Sequence, residues 1–182
     1  MVDIYNLNCT TPEAEAFCTG TVGIRSFPAY RVYGVGLEDK KKKNKVTLSK
    51  NMDLEEITKE ISDIVEDTTI PLNPQEIGSF LSTALQSKKP ALIMFYNKEE
   101  LSLSFRALVQ LEKYHDKIIF GSFRNPPEQV VQQFGLKTVP VLAAVFLKDP
   151  DSETLDLQNN VQVGQFTGRQ VYNELAGFID MV

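Results

Sequence analysis

Two segments of the sequence repeat one pattern of residues, and this repeat limits the folds that the chain can adopt. Residues 22–33 begin Val-Gly-Ile-Arg-Ser-Phe-Pro-Ala-Tyr, and residues 134–145 begin Phe-Gly-Leu-Lys-Thr-Val-Pro-Val-Leu. Both read as an apolar residue, glycine, an aliphatic residue, a basic residue, a hydroxyl residue, an apolar residue, proline and then an apolar strand. Pro28 and Pro140 are 112 positions apart, which is the size of one small domain. We therefore expect two copies of one unit.

The segments on either side of this repeat also match. Upstream, an apolar stretch precedes a helix pattern that opens on proline, at Pro12 in one copy and at Pro126 in the other. Downstream, residues 51–65 and 168–179 both have the spacing of an amphipathic helix. The two copies are therefore similar over a series of elements in the same order. A chance match of one glycine and one proline would not extend so far.

The apolar pattern of the second copy predicts the element order β-α-β-α-β-α-β-β-α. Residues 90–96 form a continuous apolar run, as expected of a strand that is buried on both faces. The other predicted strands are residues 69–72, 117–123, 141–147 and 161–166, and the predicted helices are residues 74–85, 99–114, 127–134 and 169–179.

The net charge, the lengths of the apolar runs and the small number of Cys and His residues argue against several classes of function. The net charge of −5 disfavours a general nucleic-acid binder, and no apolar run reaches the roughly 18 residues of a membrane-spanning helix. Cys9, Cys18 and His115 are too few and too far apart for a zinc site, and His115 lies at the polar end of a helix pattern. We therefore predict no metal, no cofactor and no catalytic residue in this chain.

The lysine cluster at residues 40–45 is interpreted as a solvated hairpin loop, and contact with an anionic surface, lipid or nucleic acid is the alternative.

The element order, with a proline that opens the fourth strand, resembles the thioredoxin fold, an α/β fold with a mixed sheet flanked by helices. The residues around Pro28 are similar to the segment around the cis-proline of disulfide isomerases, which commonly reads Tyr-Gly-Val-x-Gly-Tyr-Pro-Thr. The Asn-Cys-Thr that contains Cys9, followed by Cys18, resembles a cysteine pair in catalytic domains of that family. The chain is thus similar to the protein disulfide isomerase family and to other thioredoxin-like proteins of the endoplasmic reticulum. The resemblance implies cis peptide bonds before Pro28 and Pro140.

The two copies contain different amounts of this unit. About 70 residues precede Pro140 within its copy, whereas only 27 precede Pro28. On this comparison, residues 1–67 are the C-terminal part of a thioredoxin-like domain and residues 68–182 are a complete one. We therefore expect the chain to be a segment of a longer protein.

The shorter first copy leads to an expectation about assembly. Its sheet should contain three strands, which begin near Ile4, Ala29 and Val46. An open strand edge and an uncovered apolar face promote pairing with another chain. We expect either self-association, measurable by light scattering, or packing on the second copy through three isoleucines of the last helix, Ile57, Ile61 and Ile64.

The second copy lacks the residues for dithiol chemistry. A thioredoxin-type oxidoreductase needs a thiolate at a helix start and a second thiol three positions on. The resemblance places that site after the strand at residues 90–96, and residues 97–104 contain no cysteine. This copy therefore resembles the redox-inactive domains of disulfide isomerases. Cys9 and Cys18 have three interpretations, which are a redox pair, an inert structural disulfide or two buried thiols, and the cysteine pair of the family favours the disulfide.

In redox-inactive domains of this family an apolar groove can bind unfolded protein or a co-chaperone. By position, that groove corresponds to Tyr96, Leu101, Leu103, Val139 and Pro140, and ordinary packing of a helix on the sheet is the alternative.

This resemblance implies a non-catalytic segment of a disulfide isomerase or of a DnaJ-type chaperone, which binds or positions unfolded clients in the lumen of the endoplasmic reticulum. One alternative is part of a thiol-disulfide oxidoreductase whose active dithiol lies upstream of this chain. A calcium-buffering array of thioredoxin-like domains, as in calsequestrin, is disfavoured because the net charge is only −5.

Overall fold

The computed structural model describes residues 6–33, 45–48, 52–147 and 161–182. The chain divides into two compact units, Met1–Val65 and Glu66–Val182. Three sequence predictions lie outside the described residues. These are the strand near Ile4, the lysine cluster apart from Lys45, and the polar loop predicted between the strands at residues 141–147 and 161–166, which is residues 148–160.

The described residues of the first unit form helices and a small antiparallel sheet. In chain order it has α1 (Pro12–Ala16), a π-helix (Phe17–Thr21), β1 (Tyr30–Tyr33), β2 (Lys45–Leu48) and α2 (Leu54–Ser62). Strands β1 and β2 pair antiparallel, with Tyr30 opposite Leu48. Helix α2 begins at Leu54 because Asp53 and Glu56 form a capping box, in which each side chain accepts a hydrogen bond from the backbone N–H of the other.

A disulfide bond joins Cys9 to Cys18 in this unit, and their Cα atoms are 6.2 Å apart. It connects the segment before α1 to the π-helix. Cys18 is fully buried, whereas Cys9 is half-buried. The bond therefore closes a short loop around α1, which is itself only 5 residues long.

The second unit is built on a mixed five-stranded sheet with the order β3-β5-β4-β6-β7. The strands are β3 (Ile70–Leu72), β4 (Ala91–Tyr96), β5 (Ile119–Arg124), β6 (Val141–Leu147) and β7 (Val161–Gln165). Strands β3, β5 and β4 run parallel, and β6 and β7 are antiparallel to their neighbours. The middle strand β4 has every residue from Ala91 to Phe95 buried, as its continuous apolar run predicts.

Helices cover both faces of this sheet. One face packs against α3 (Ile77–Ser87) and α6 (Glu128–Gln133), and its core includes Phe95, Phe123 and Phe134. The other face packs against α4 (Leu103–Val109), α5 (Glu112–His115) and α7 (Tyr172–Ile179), and its core includes Leu92, Phe105 and Leu142. The predicted α/β class, a mixed sheet flanked by helices, is confirmed.

The single helix predicted over residues 99–114 is wrong in extent, because the structure has the two shorter helices α4 and α5 there. Helix α4 begins at Leu103, since the Ser102 hydroxyl accepts a hydrogen bond from the Phe105 N–H at 3.4 Å. Leu111 then adopts an extended backbone and separates α4 from α5. The apolar spacing that indicated one helix arises partly from Leu101, which is buried in the core from the preceding loop.

The sequence repeat is also a structural repeat. In both units a helix is followed by a cis X–Pro bond, at Phe27–Pro28 and at Val139–Pro140. An antiparallel pair of strands comes next, and then a helix ends the unit. The elements after proline are β1, β2 and α2 in the first unit and β6, β7 and α7 in the second.

A carboxylate at the end of α7 joins that helix to α5. Asp180 accepts hydrogen bonds from Lys113 Nζ at 2.8 Å and from the Tyr114 hydroxyl at 2.6 Å. Both bonds favour the ionised carboxylate, so Lys113 first and Tyr114 second hold the pKa of Asp180 below its ordinary value. A lowered pKa in the folded state adds stability above the unfolded pKa, and that contribution is lost as pH falls through the folded pKa.

We therefore expect Asp180→Asn to lower the thermal midpoint at about pH 7 by a small amount and to reduce its fall between about pH 4 and pH 2. Thermal unfolding of both proteins across this range measures the effect. Glu99→Gln is the matched control, because Glu99 is exposed and belongs to the same unit. If both variants reduced the fall of the thermal midpoint between about pH 4 and pH 2 equally, the pH dependence could not be attributed to Asp180.

Candidate functional site

The predicted groove lies at the edge of the sheet where β4 and β5 end and β6 begins. The strand register places Tyr96 beside Arg124 and Phe95 beside Val141. Pro140 directly precedes Val141, so the antiparallel pairing brings Pro140 to the same edge as Tyr96. The structure thus places two of the five groove residues in neighbouring positions.

The five groove residues differ in exposure. Tyr96, Leu103 and Val139 are half-buried and Pro140 is exposed. Leu101 is only 5% exposed and belongs to the core beneath α4 and α7. Leu101 is therefore part of the core, and the other four residues retain accessible surface.

Side-chain hydrogen bonds from β7 fix the loop that leads to Pro140. Gln165 Nε2 donates to the Gly135 carbonyl at 2.7 Å, and Gln165 Oε1 accepts from the Lys137 N–H at 3.4 Å. Gly135 ends α6 with a left-handed backbone, φ +59°, which favours glycine. Sequence reasoning missed Gln165, because nothing local indicates a contact that spans 30 positions.

The start of α4, where the resemblance places the dithiol of an active thioredoxin domain, carries no thiol. Ser102 caps the helix with its hydroxyl. One turn further on, the buried Arg106 places its Nη2 at 3.6 Å from Glu100 Oε2. This buried arginine is a second feature that sequence reasoning missed, since it lies among apolar helix positions. A serine cannot replace a thiol in disulfide exchange, so Ser102 cannot take that role.

Tyr96 is a titratable residue at this edge, and its surroundings shift the pKa of its hydroxyl. Burial raises the pKa of Tyr96, the nearby Asp67 carboxylate adds to the rise, and Arg124 opposes it. The phenol therefore stays protonated at neutral pH and can donate a hydrogen bond. The edge beside Pro140 therefore combines apolar surface with one hydrogen-bond donor, the Tyr96 hydroxyl.

The second cis-proline lies in a more exposed setting. Phe27 is 52% exposed, and Pro28 is exposed. The Arg31 guanidinium of β1 donates to the carbonyls of Val22 and Gly23, and so fixes the turn that precedes this proline. Among the described residues of this unit, five large apolar side chains are exposed, namely Leu7, Phe17, Phe27, Tyr30 and Leu54.

The described residues offer neither a metal cluster nor a membrane span. Among them, no three His, Cys, Asp or Glu side chains are placed to hold a metal ion. No helix in the described part of the chain is long and apolar enough to cross a membrane.

Taken together, the mixed sheet, the helices on both faces and the cis-proline beside the end of the middle strand define a thioredoxin-like fold. Within residues 97–104 of the second unit, the cysteines of an active site are absent. The chain therefore has a thioredoxin-like fold and no dithiol at residues 97–104.

Comparison with known proteins agrees with this class. No protein-family model and no curated protein matches the sequence. Crystal structures of ERdj5 in form II and of full-length ERdj5 align with 96% of the chain, at 18% and 16% identity and with TM-scores of 0.57 and 0.53. The chain spans 22% and 24% of the lengths of those ERdj5 chains. Because the sequence identities are this low, the structural similarity shows the fold alone. It confirms the thioredoxin-like fold that the sequence analysis predicts.

The first two thioredoxin domains of Naumovozyma dairenensis Eps1p also align with 96% of the chain, and the alignment covers 73% of that Eps1p chain. The identity is 21%, and the TM-score of 0.39 is too low to support an argument.

Proposed function

We propose that this chain is a non-catalytic thioredoxin-like segment that binds or positions unfolded client proteins in the lumen of the endoplasmic reticulum, alone or with a co-chaperone. The observation that carries the proposal is the edge at Pro140. Tyr96, Leu103 and Val139 are half-buried there, and the helix start beside them has no thiol. Unfolded chains expose apolar side chains, and burial of these against a partly apolar edge is favourable. Binding without disulfide exchange is the chemistry that these residues support.

The domain assignment forms part of the same proposal. Residues 1–67 are proposed as the C-terminal part of a thioredoxin-like domain, and residues 68–182 as a complete one. The order of helix, cis-proline, antiparallel strands and helix in both units supports this assignment. The exposed Phe17, Phe27 and Tyr30 support the proposal that the first unit mediates self-association.

The compartment is proposed from the disulfide. Bonds such as Cys9–Cys18 form and persist in oxidising compartments, of which the lumen of the endoplasmic reticulum is one. The alternative function is part of a thiol-disulfide oxidoreductase whose active dithiol lies upstream in a longer parent. In that case a parent with the upstream segment would reduce insulin disulfides and this chain would not.

A binding assay with a permanently unfolded protein tests the client site. The probe is fluorescently labelled, reduced and carboxymethylated α-lactalbumin, and the readout is fluorescence anisotropy. We expect saturable binding by this chain. The double variant Leu103→Ser/Val139→Ser should bind about tenfold more weakly, because each removed side chain is an apolar contact at the proposed site.

Ile70→Ser is the matched control for this assay. Ile70 is 48% exposed and lies in the edge strand β3, three strands away from β6 and Pro140 in the sheet order. It should change the affinity by less than about twofold, since scattered surface contacts contribute little. Equal weakening by Ile70→Ser, or full binding by the double variant with an unchanged thermal midpoint, would overturn the proposal.

A further inference from the structure

The segment before α1 contains an acceptor motif for N-linked glycans, Asn8-Cys9-Thr10. The motif requires an asparagine and a serine or threonine two positions on, with any residue except proline between them. No other asparagine of the sequence meets this requirement. Because so short a motif also occurs by chance, its surroundings decide whether a glycan can be attached there.

The geometry of the motif suits an acceptor. Asn8 and Thr10 are both exposed. The Thr10 backbone N–H donates a hydrogen bond to Asn8 Oδ1 at 3.1 Å, which closes an Asx turn. This bond draws electron density toward Oδ1 and so makes the protons on Asn8 Nδ2 easier to remove. Among the residues that the structure describes, no hydrogen bond occupies Nδ2, and the nitrogen can therefore form a new bond.

The disulfide limits when this chemistry can take place. Cys9, the middle residue of the motif, is half-buried and bonded to the fully buried Cys18. Directly after the motif, Thr11 caps α1 by accepting a hydrogen bond from the Ala14 N–H. A transferase must take the backbone around the asparagine into its own cleft, and a segment fixed on both sides cannot enter it. The motif is therefore available before the bond closes.

We propose that Asn8 is an N-glycosylation site, which is modified while Cys9 is still a free thiol. The proposal rests on the luminal compartment given under the proposed function. The donor is a lipid-linked oligosaccharide diphosphate, and an oligosaccharyl transferase is the enzyme. Asn8 Nδ2 attacks the anomeric carbon, the bond from that carbon to the diphosphate oxygen breaks, and one Nδ2 proton passes to a base of the enzyme. The lipid diphosphate leaves, and no atom changes its oxidation state through an external oxidant or reductant.

The folded unit has room for the product. A glycosylated asparagine keeps Oδ1 and one Nδ2 proton, so the hydrogen bond from the Thr10 N–H is retained. Because Asn8 is exposed, the glycan extends into solvent and leaves the Cys9–Cys18 bond free to form afterwards.

Translation of the full chain behind a cleavable signal peptide, in the presence of endoplasmic-reticulum microsomes, tests the site. We expect part of the translocated chains to migrate more slowly on a gel and to return to the faster position after endoglycosidase H. Asn8→Gln and Thr10→Ala should each abolish the slower product. Asn6→Gln is the matched control, because Asn6 is an exposed asparagine outside the motif, and it should change nothing.

A second comparison tests the order of the two modifications. Cys18→Ala leaves the motif intact and removes the bond, so it should raise the glycosylated fraction at least about twofold. Dithiothreitol during translation should have the same effect on the parent chain and no further effect on Cys18→Ala. Asp53→Ala, which removes the capping box of α2 and leaves both cysteines, separates loss of the bond from general destabilisation and should not raise the fraction.

Absence of the slower product from both the parent chain and Cys18→Ala would overturn the site, as would its persistence in Asn8→Gln. Equal glycosylated fractions in the parent chain and Cys18→Ala, or an equal rise in Asp53→Ala, would overturn the proposed order. The signal peptide supplies the compartment, so a failure here is distinct from a failure of client binding, which the anisotropy assay measures on its own.

Discussion

Replacement of Gly121 by alanine is expected to destabilise the second unit by roughly 1–3 kcal/mol, although it adds a single methyl group. Gly121 lies inside β5, between β3 and β4, and beneath α3. A Cβ at this position would lie 2.7 Å from Leu72 Cδ1 and 2.9 Å from Phe80 Cζ. Leu72 and Phe80 are both buried, so neither can move away without disturbing the core. Urea unfolding followed by circular dichroism measures the loss.

The same substitution at Gly78 is the control for this prediction. Gly78 is an exposed position of α3, and no atom lies within 4 Å of the place where its Cβ would be. Gly78→Ala should therefore stabilise the unit by about 0.5–1 kcal/mol through helix propensity. A third variant, Gly121→Ala/Leu72→Ala, should cost less than the sum of its two single changes, because the shorter residue 72 makes room. Equal stability of Gly121→Ala and the parent protein would show that the core adapts.

Removal of the disulfide is expected to destabilise the first unit by roughly 2–3 kcal/mol, because the bond closes a loop of about ten residues in the unfolded chain. The variant is Cys9→Ala/Cys18→Ala, since alanine leaves no unpaired hydroxyl at the fully buried position 18. The described sheet of this unit is a two-stranded ribbon, and such ribbons are marginal without further support. Amide hydrogen exchange should therefore accelerate by about 30-fold to 160-fold in β1 and α2.

The second unit supplies the internal control for this measurement. Exchange in β4 should be unchanged, because its hydrogen bonds connect it to β5 and β6. Reduction of the parent protein with dithiothreitol should reproduce the effect of the double variant. Unchanged exchange in α2 after either treatment would show that the bond contributes nothing to the unit.

Much of the fold follows from features that a sequence displays directly. The run at residues 90–96 has no polar break, and the structure places it in the middle of the sheet with both faces covered. The repeated Gly and Pro pattern marks the same turn and strand in both units, since a left-handed glycine and a proline constrain the backbone wherever they occur. The α/β element order could therefore be predicted from the residues, and the resemblance of that order and of the proline segments to a known family implied the thioredoxin-like fold.

The parts that could not be predicted depend on contacts between distant residues. Helix propensity allows a helix across residues 99–114, but burial of Leu101 and capping by Ser102 start α4 later. Gln165 bonds to Gly135 in the loop before Pro140, and Asp180 joins α5 to α7. Each of these two bonds pairs residues at least 30 positions apart. A local pattern carries no information about these partners.

The strand order also has a consequence for the chain during its synthesis. The first residue of β4 pairs with Ile119 of β5, which follows Ala91 by 28 positions. At roughly 5–20 residues per second, a ribosome needs about 1–6 s to add that length. Over this interval β4, whose residues 91–95 are all buried in the folded unit, has neither of its neighbours, and its backbone groups can pair with other nascent chains. Polysomes that translate this sequence are therefore expected to recruit holdase chaperones when β4 leaves the exit tunnel, and to release them once β5 follows.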